Sequence, residues 1–431
     1  MNINLYSIFF FLGLLNLPNT VGIPLLNFVF AFLFLLLFII GAASGNFRLF
    51  QGNTRKRVIF VLLYMFLIFM SLLRAYEFSW IRLLNFSCFS LFLLVYISEI
   101  LNHCIDNRLK FIDGFRNYII NPFVFYIGIN YLFWLLGITS QARSEGEIFI
   151  GNAVILQALG YSVERVNFLF SIGINGYAVI LGAVLSFVLI DNVFQKKWTG
   201  FNIVLFLVII ISILLTDSRS AVLYPILILS ACVGTRMLNF RWVLTISPIL
   251  FVVIPLFTAF VLPLLAEVEF FAQFSRNSTD LFTLNGRVFI WIFAFQEFMN
   301  FKLFHLIGHG FEGHVSSGAS LKWAFLFISY NVSDNVHPHN SILSMIFDIG
   351  YLGLSVILII FGQIAGKLRK IWNLNKRHAL TFYALFLYII LISITESFIS
   401  FYYLNAMPLM LSLFLFVLAL DETDEELIKT N

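Results

Sequence analysis

The sequence predicts an all-α, polytopic integral membrane protein of about twelve transmembrane helices, and three observations carry that prediction. Hydrophobic residues fill 61% of the 431 positions and charged residues only 11%, whereas soluble domains keep roughly a quarter of their residues charged. Mean hydropathy is correspondingly high, at +0.96. Runs of about twenty apolar residues, the length that crosses a hydrocarbon core, recur along the whole chain. The alternating strands of about ten residues that build an outer-membrane barrel are absent. With no internal repeat, linker or second domain visible, a single transmembrane domain is expected over residues 1–431.

In order, the expected spans are 5–20, 24–43, 57–73, 82–101, 118–138, 168–190, 202–215, 220–235, 242–265, 341–361, 380–400 and 403–420. The first lacks a basic leader and a small-residue cleavage site, so it reads as a retained span and not a signal peptide. Basic clusters separate the second span from the third (Arg48, Arg55, Lys56, Arg57) and the fourth from the fifth (Arg108, Lys110, Arg116). Others follow the sixth (Lys196, Lys197), the eighth (Arg236, Arg241) and the tenth (Lys367, Arg369, Lys370, Lys376, Arg377). With Lys429 these make 17 of the 26 Lys and Arg residues, all on one side if the N-terminus is inside. The positive-inside rule then puts both termini in the cytoplasm and residues 266–340, a large loop, outside. The net charge of +4 follows from this bias and implies no nucleic-acid partner. The acidic tail (Asp421, Glu422, Asp424, Glu425, Glu426) reads as a solvated end. The seventh and eighth spans are short, readable as one incomplete hairpin or as two tilted spans. Cys88, Cys104 and Cys232 lie in spans or at inner ends, so no disulfide framework is implied. The 54 phenylalanines read as lipid-facing filler and a biased coding composition.

Two outer regions are longer than connections need to be. Residues 139–167 carry Gln141, Arg143, Glu145, Glu147, Glu164 and Arg165; residues 266–340 carry five of the seven histidines. Within the second, the apolar run Val288–Phe295 rises only about 12 Å as a helix, well short of a core of about 30 Å. It and the shorter Trp323–Ile328 run are expected as interfacial or re-entrant helices roofing the outer ends of the spans.

Polar residues at these ends are the candidate site. Arg219 borders an apolar run, where its guanidinium either snorkels to the headgroups beside Asp217 or faces a polar cavity. Asp348 lies about two turns inside the tenth span, where a carboxylate costs about 3 kcal/mol on insertion scales. Pairing, protonation or water must offset that cost, and helix-packing glue is the plain explanation. At the mouth of the same span stands His337-Pro338-His339-Asn340. Pro338 suits a first helical position, which would place His339 and Asn340 in the first turn. Unpaired N–H groups and the positive dipole end would favour an anion there and keep His339 neutral, able to accept a proton. Arg219 and Arg287, folded toward it, would add two permanent charges suited to phosphate. Alone, a histidine at a helix start is more often only a cap-region residue.

A metal site is disfavoured. His305 and His309 have helical spacing with His314 nearby, but Leu, Ile and Gly stand between them. No HExxH motif appears, and Glu267 and Glu269 make a weak cation site.

His339-Asn340, nine residues, Gly350, two residues, Gly353 resembles the signature of the bacterial O-antigen polymerase and ligase superfamily. Thr216-Asp217-Ser218-Arg219 is similar to that family's Thr-x-Ser-Arg segment. Asn285-Gly286-Arg287 with Trp291, then Gly308-His309-Gly310, is similar to the Gly-Arg-x-x-x-Trp and Gly-x-Gly elements of its large loop. The motifs cover about 202–361, in the family's order.

The resemblance implies a metal-independent, cofactor-free glycosyltransferase at the periplasmic face of the bacterial inner membrane, using undecaprenyl-pyrophosphate-linked oligosaccharide among membrane lipids. By the same carry-over, Arg219 and Arg287 hold the pyrophosphate and His339 deprotonates the acceptor hydroxyl. Asp217, Asn340, His337, His309 and Asp348 are supporting or structural. An O-antigen polymerase is expected over a ligase that transfers the polymer to lipid A-core, since the Phe- and Ile-heavy composition suggests an AT-rich gene like those of polysaccharide clusters. A chain-length regulator is the partner implied for a polymerase. A transporter of lipid-linked sugars, the competing class, would show inverted repeats and broken spans at the midplane; here the charges gather at the outer interface.

Overall fold

In hydrocarbon a segment must bond its own backbone N–H and C=O groups, and helices do this segment by segment. The computed structural model describes residues 3–23, 25–44, 47–50, 54–140, 153–158, 160–171, 173–195, 198–235, 240–265, 287–325, 337–399, 407–420 and 425–428. Among these residues the elements are helical, and an isolated antiparallel bridge joins Thr139 to Phe168.

The principal helices are α1 (Ile3–Leu14), α2 (Leu25–Ala43), α3 (Thr54–Leu73), α4 (Trp80–Asp106), α5 (Asn121–Leu135), α6 (Ile174–Gln195) and α7 (Gly200–Thr216). They continue as α8 (Arg219–Gly234), α9 (Phe240–Leu265), α10 (Arg287–Met299), α11 (Ser341–Leu374), α12 (Lys376–Thr395) and α13 (Met407–Ala419). All except α10 coincide with the apolar spans read from the sequence. Among the described residues seven helical stretches are long and apolar enough to cross a membrane, Phe111–Leu135 counting as one, and shorter apolar helices accompany them. The 202–235 region forms two helices, of 17 and 16 residues. At 1.5 Å per residue each rises about 25 Å, just under a bilayer core.

Burial sorts the bundle into centre and rim. The apolar windows of α6 and α12 are each 89% buried against 28% for α2, whose Leu25, Phe28 and Phe32 face outward. α12 packs against α6, α8, α9 and α11, which brings the C-terminal end of α12 beside the N-terminal ends of α8 and α11.

The tenth span runs further than its expected end at 361, to Leu374, and it is broken. Gly350 has φ 70° and ψ −174° inside α11, a conformation open essentially to glycine alone. A Cβ there would lie 2.3 Å from the Leu306 carbonyl oxygen. The break turns backbone of α11 toward the loop: the Phe347 carbonyl accepts from His309 N–H at 2.6 Å and the Asp348 carbonyl from Gly310 N–H at 3.1 Å. Gly308 (φ 75°) repeats the constraint from the loop side, a Cβ there meeting the Asp348 carbonyl group at 2.4 Å. Arg74 fixes the loop from a third direction, donating to the carbonyls of Gly308 (3.1 Å) and Ile307 (3.0 Å). Gly350→Ala is therefore expected to lower stability by about 1–3 kcal/mol or more. Thermal unfolding in detergent checks this, and an unchanged unfolding temperature would show that the break is not needed.

α10 is longer than the expected 288–295 run and is packed against protein along one face. Val288, Ile290, Trp291, Ala294, Glu297 and Phe298 are buried, while Phe289 and Ile292 stay partly exposed. Glu297 receives both Lys302 and Lys322 at 2.5 Å. Burial alone would raise its carboxyl pKa, but the two ammonium groups overcome it and hold the group at about 2. Of the second expected loop helix, Leu321–Ala324 is a short turn with Trp323 fully buried; residues 326–328 lie outside the described set, as do Gln141, Arg143, Glu145, Glu147, Glu267 and Glu269.

Candidate active site

Asn340 sets the mouth of α11. With extended backbone (φ −153°), its Oδ1 accepts from the N–H groups of Ile342 (3.0 Å) and Leu343 (3.1 Å). Its Nδ2 donates to the Ile394 carbonyl at 2.9 Å, tying the cap to the end of α12. Asparagine is among the strongest N-caps, so the helix starts at Ser341 and not at Pro338. The expected first-turn placement of His339 and Asn340 is corrected: Asn340 is the cap and His339 precedes it. His339 has a left-handed backbone (φ 49°), uncommon for any residue with a Cβ.

α10 faces this turn with two residues one helical turn apart. Trp291, fully buried, donates its Nε1–H to the Pro338 carbonyl at 3.0 Å. Arg287, four residues earlier and so on the same face, donates Nη1–H to the Thr395 carbonyl (2.7 Å) and Nη2–H to Glu396 Oε1 (2.9 Å). The Arg-x-x-x-Trp spacing thus grips the mouth of α11 and the end of α12 together.

Glu396 joins the parts. Its second oxygen, Oε2, lies 3.5 Å from His339 Nδ1, a long contact that points Nδ1–H at the carboxylate and leaves Nε2 as the basic nitrogen. Side-chain exposure falls from 27% at His339 to 18% at Arg287 and 7% at Glu396, so a ligand entering from outside meets the imidazole first and the carboxylate last. Burial pushes the His339 imidazole below the ordinary histidine value, the Arg287 charge pushes it further, and the Glu396 carboxylate partly offsets both. Burial and the Arg287 charge thus favour the neutral imidazole expected of His339. Glu396 falls within the 380–400 apolar stretch, near its outer end, where a carboxylate is uncommon though less costly than Asp348 two turns inside its span. That was the signal for it in the sequence.

His337 lies behind this surface and is buried. Its Nδ1 accepts from the backbone N–H of His339 at 3.0 Å and lies 3.0 Å from Ser397 Oγ; its Nε2 is 3.4 Å from Ser344 Oγ. Ser341 completes the join, its Oγ donating to the Glu396 carbonyl and accepting from Ile399 N–H.

Arg219 is the first residue of α8, with Ser218 as N-cap. Its helix reaches the site through Tyr224, whose hydroxyl is 3.2 Å from Thr395 Oγ1, on the residue whose carbonyl holds Arg287. Asp217 ends α7 in a left-handed conformation (φ 51°), buried, and accepts from Ile155 N–H at 3.1 Å. Arg165 caps the same corner, donating to the Thr216 carbonyl. Asp348 is buried in α11 and its Oδ1 accepts Gly313 N–H at 2.9 Å, which makes it loop-to-helix glue. His309 is part of that seam: its ring stacks on Phe304, and burial lowers its pKa, as it does that of His305 6.2 Å away. Among the described residues no three His, Cys, Asp or Glu side chains come together as a metal-binding group. The structure therefore gathers Arg287, His337, His339 and Asn340 with Glu396, and commits Asp217, His309 and Asp348 to contacts that hold the frame.

A neutral imidazole with one nitrogen held against a carboxylate can take a proton from a hydroxyl, and a guanidinium beside it can stabilise an anion. Residues 203–358 match the family model described as O-antigen ligase. That stretch runs from α7 into α11 and contains Arg219, Arg287 and His339, which bears out the resemblance to the O-antigen polymerase and ligase superfamily. No curated protein and no solved structure matches the chain.

Proposed function

We propose that the chain is a glycosyltransferase of surface-polysaccharide assembly, an O-antigen polymerase joining undecaprenyl-pyrophosphate-linked repeat units. The Arg287–Glu396–His339 arrangement carries this reading, and two of its members, Arg287 and His339, lie in the stretch matched by the O-antigen ligase model. In the proposed step His339 Nε2 takes the proton of an acceptor sugar hydroxyl. The freed oxygen bonds to the anomeric carbon of the donor, the bond from that carbon to pyrophosphate breaks, and undecaprenyl pyrophosphate leaves. The N–H groups of Arg287 beyond its two bonds, together with Arg219 at the start of α8, meet the charge that develops on the pyrophosphate. Glu396 holds His339 by Nδ1, the role a carboxylate plays behind a catalytic imidazole. No step calls for a metal ion or a cofactor. The orientation with both termini cytoplasmic and the site at the periplasmic face of the inner membrane rests on the distribution of Lys and Arg. A chain-length regulator would be a partner of the polymerase.

The description of the matched family favours a second reading, a ligase that passes the finished polymer to lipid A-core. Deleting the gene separates the two. Lipid A-core bearing one repeat unit is expected for a polymerase; lipid-linked polymer left unattached would instead identify a ligase. Normal capped, full-length chains would exclude both. A lipid-linked sugar transporter would leave polymerisation by purified protein at zero, so in vitro transfer from undecaprenyl-pyrophosphate-linked donor excludes that class.

A further inference from the structure

We propose that His337 is a positioning residue: its Nδ1, as acceptor in the Nε2–H tautomer, locks the backbone of His339 in the left-handed conformation that presents the His339 imidazole. The catalytic consequence rests on the glycosyltransferase reading above; the lock itself does not.

The lock is visible in the direction of its bonds. A backbone N–H can only donate, so the 3.0 Å contact from His339 N requires a lone pair on His337 Nδ1. That assigns the ring proton to Nε2, which then donates toward Ser344 Oγ. Ser344 Oγ lies 2.9 Å from Ser397 Oγ, and Ser397 Oγ lies 3.0 Å from His337 Nδ1. Nδ1 has a single lone pair, so the Ser397 hydroxyl shares it with the His339 N–H in a three-centre bond, and the three groups close into one head-to-tail ring. Nε2–H points to Ser344, the Ser344 hydroxyl to Ser397, and the Ser397 hydroxyl back to Nδ1. The ring fastens the turn to α11 through Ser344 and to the end of α12 through Ser397, next to Glu396.

What it holds is a strained residue. His339 sits at φ 49°, a conformation that costs a side-chain-bearing residue about 1–2 kcal/mol. The bond from its N–H to a side chain two residues earlier is an Asx-turn with imidazole in place of a carboxamide. Pro338 between them has its φ fixed by its ring, and its carbonyl is held by Trp291. His339, His314 (ring centres 5.5 and 5.6 Å away) and Arg287 surround the His337 ring. Burial first, then these neighbours, hold its pKa well below the histidine range, so the acceptor nitrogen stays unprotonated.

The Asx-turn geometry supplies the test. In His337→Asn, Oδ1 occupies the Nδ1 position and can accept the same N–H; in His337→Gln, the amide lies at the Nε2 position and cannot. Full-length H337N should keep transferase activity within about threefold of the wild type, while H337Q should lose about 10²-fold, the scale of a misplaced catalytic group. Equal activity in the two variants, both lost or both kept, overturns the proposal. Independently, ¹⁵N-histidine-labelled wild-type protein should show one imidazole, absent from the variant spectra, that remains an Nε2–H tautomer at a pH where free histidine is protonated. An Nδ1–H or imidazolium signal for His337 overturns the lock. If wild-type protein transfers no sugar, the functional reading falls and the spectra alone still decide the lock.

Discussion

Replacing His339 with asparagine is expected to lower glycosyl transfer by about 10²–10⁴-fold, the contribution of a positioned general base, with little change in thermal unfolding temperature. Asparagine is the informative substitution because it tolerates the left-handed backbone (φ 49°), where alanine would add strain of its own. Binding of donor lipid should survive, since the cations that meet the pyrophosphate remain. Retained turnover in H339N would remove His339 from the chemistry. The pH dependence of the wild type follows from the same surroundings. Burial and Arg287 lower the pKa of His339 more than Glu396 raises it. The base is thus fully available at neutral pH, and kcat/KM should fall only as pH drops through a value below about 6.5, the free-histidine pKa.

Glu396→Gln is the second large effect, and it separates orientation from charge. The variant keeps an amide near His339 Nδ1 but loses the carboxylate that selects the Nδ1–H tautomer. By analogy with other carboxylate–imidazole pairs, activity should fall by about 10²–10⁴-fold. The residual activity carries a signature. Glu396 raises the His339 pKa through its hydrogen bond and its charge, so its loss moves the acid limb of the pH profile to lower pH. A limb that stays in place or moves upward would show that Glu396 does not act on His339. Some stability is also lost, because Arg287 is left facing a neutral partner. Breaking a fully buried pair costs about 3–5 kcal/mol, and with Arg287 18% exposed the cost here is smaller.

Helices were readable from composition because lipid demands long apolar runs, and each expected span falls on a described helix, although the first is interrupted at Leu15–Asn16 and the sixth begins only at Ile174. Their ends were less readable where a side chain decides them. The Asn340 carboxamide starts α11 at Ser341, three residues beyond Pro338, and the Gly350 break hides inside an unbroken apolar run. The site divides the same way. Arg287 and Trp291 share a face by spacing alone, and the His339-Asn340 pair stands out at a span mouth. Glu396 is a lone carboxylate whose meaning lies in a contact with Arg287, 109 residues away in sequence, and local pattern does not reveal such a pairing. His337 was legible as a residue but not as a backbone acceptor, since the bond depends on a left-handed turn that His-Pro-His-Asn does not announce.

The break at Gly350 has a mechanical consequence. Ser341–Ile349 carries the histidine turn and is fastened sideways, through the Phe347 and Asp348 carbonyls, to the loop that Arg74 clamps. The rest of α11, down to Leu374, is a shaft joined to that piece at one glycine. The base is thus mounted on the loop's frame, while the shaft is held separately by its packing against α3, α9, α12 and α13.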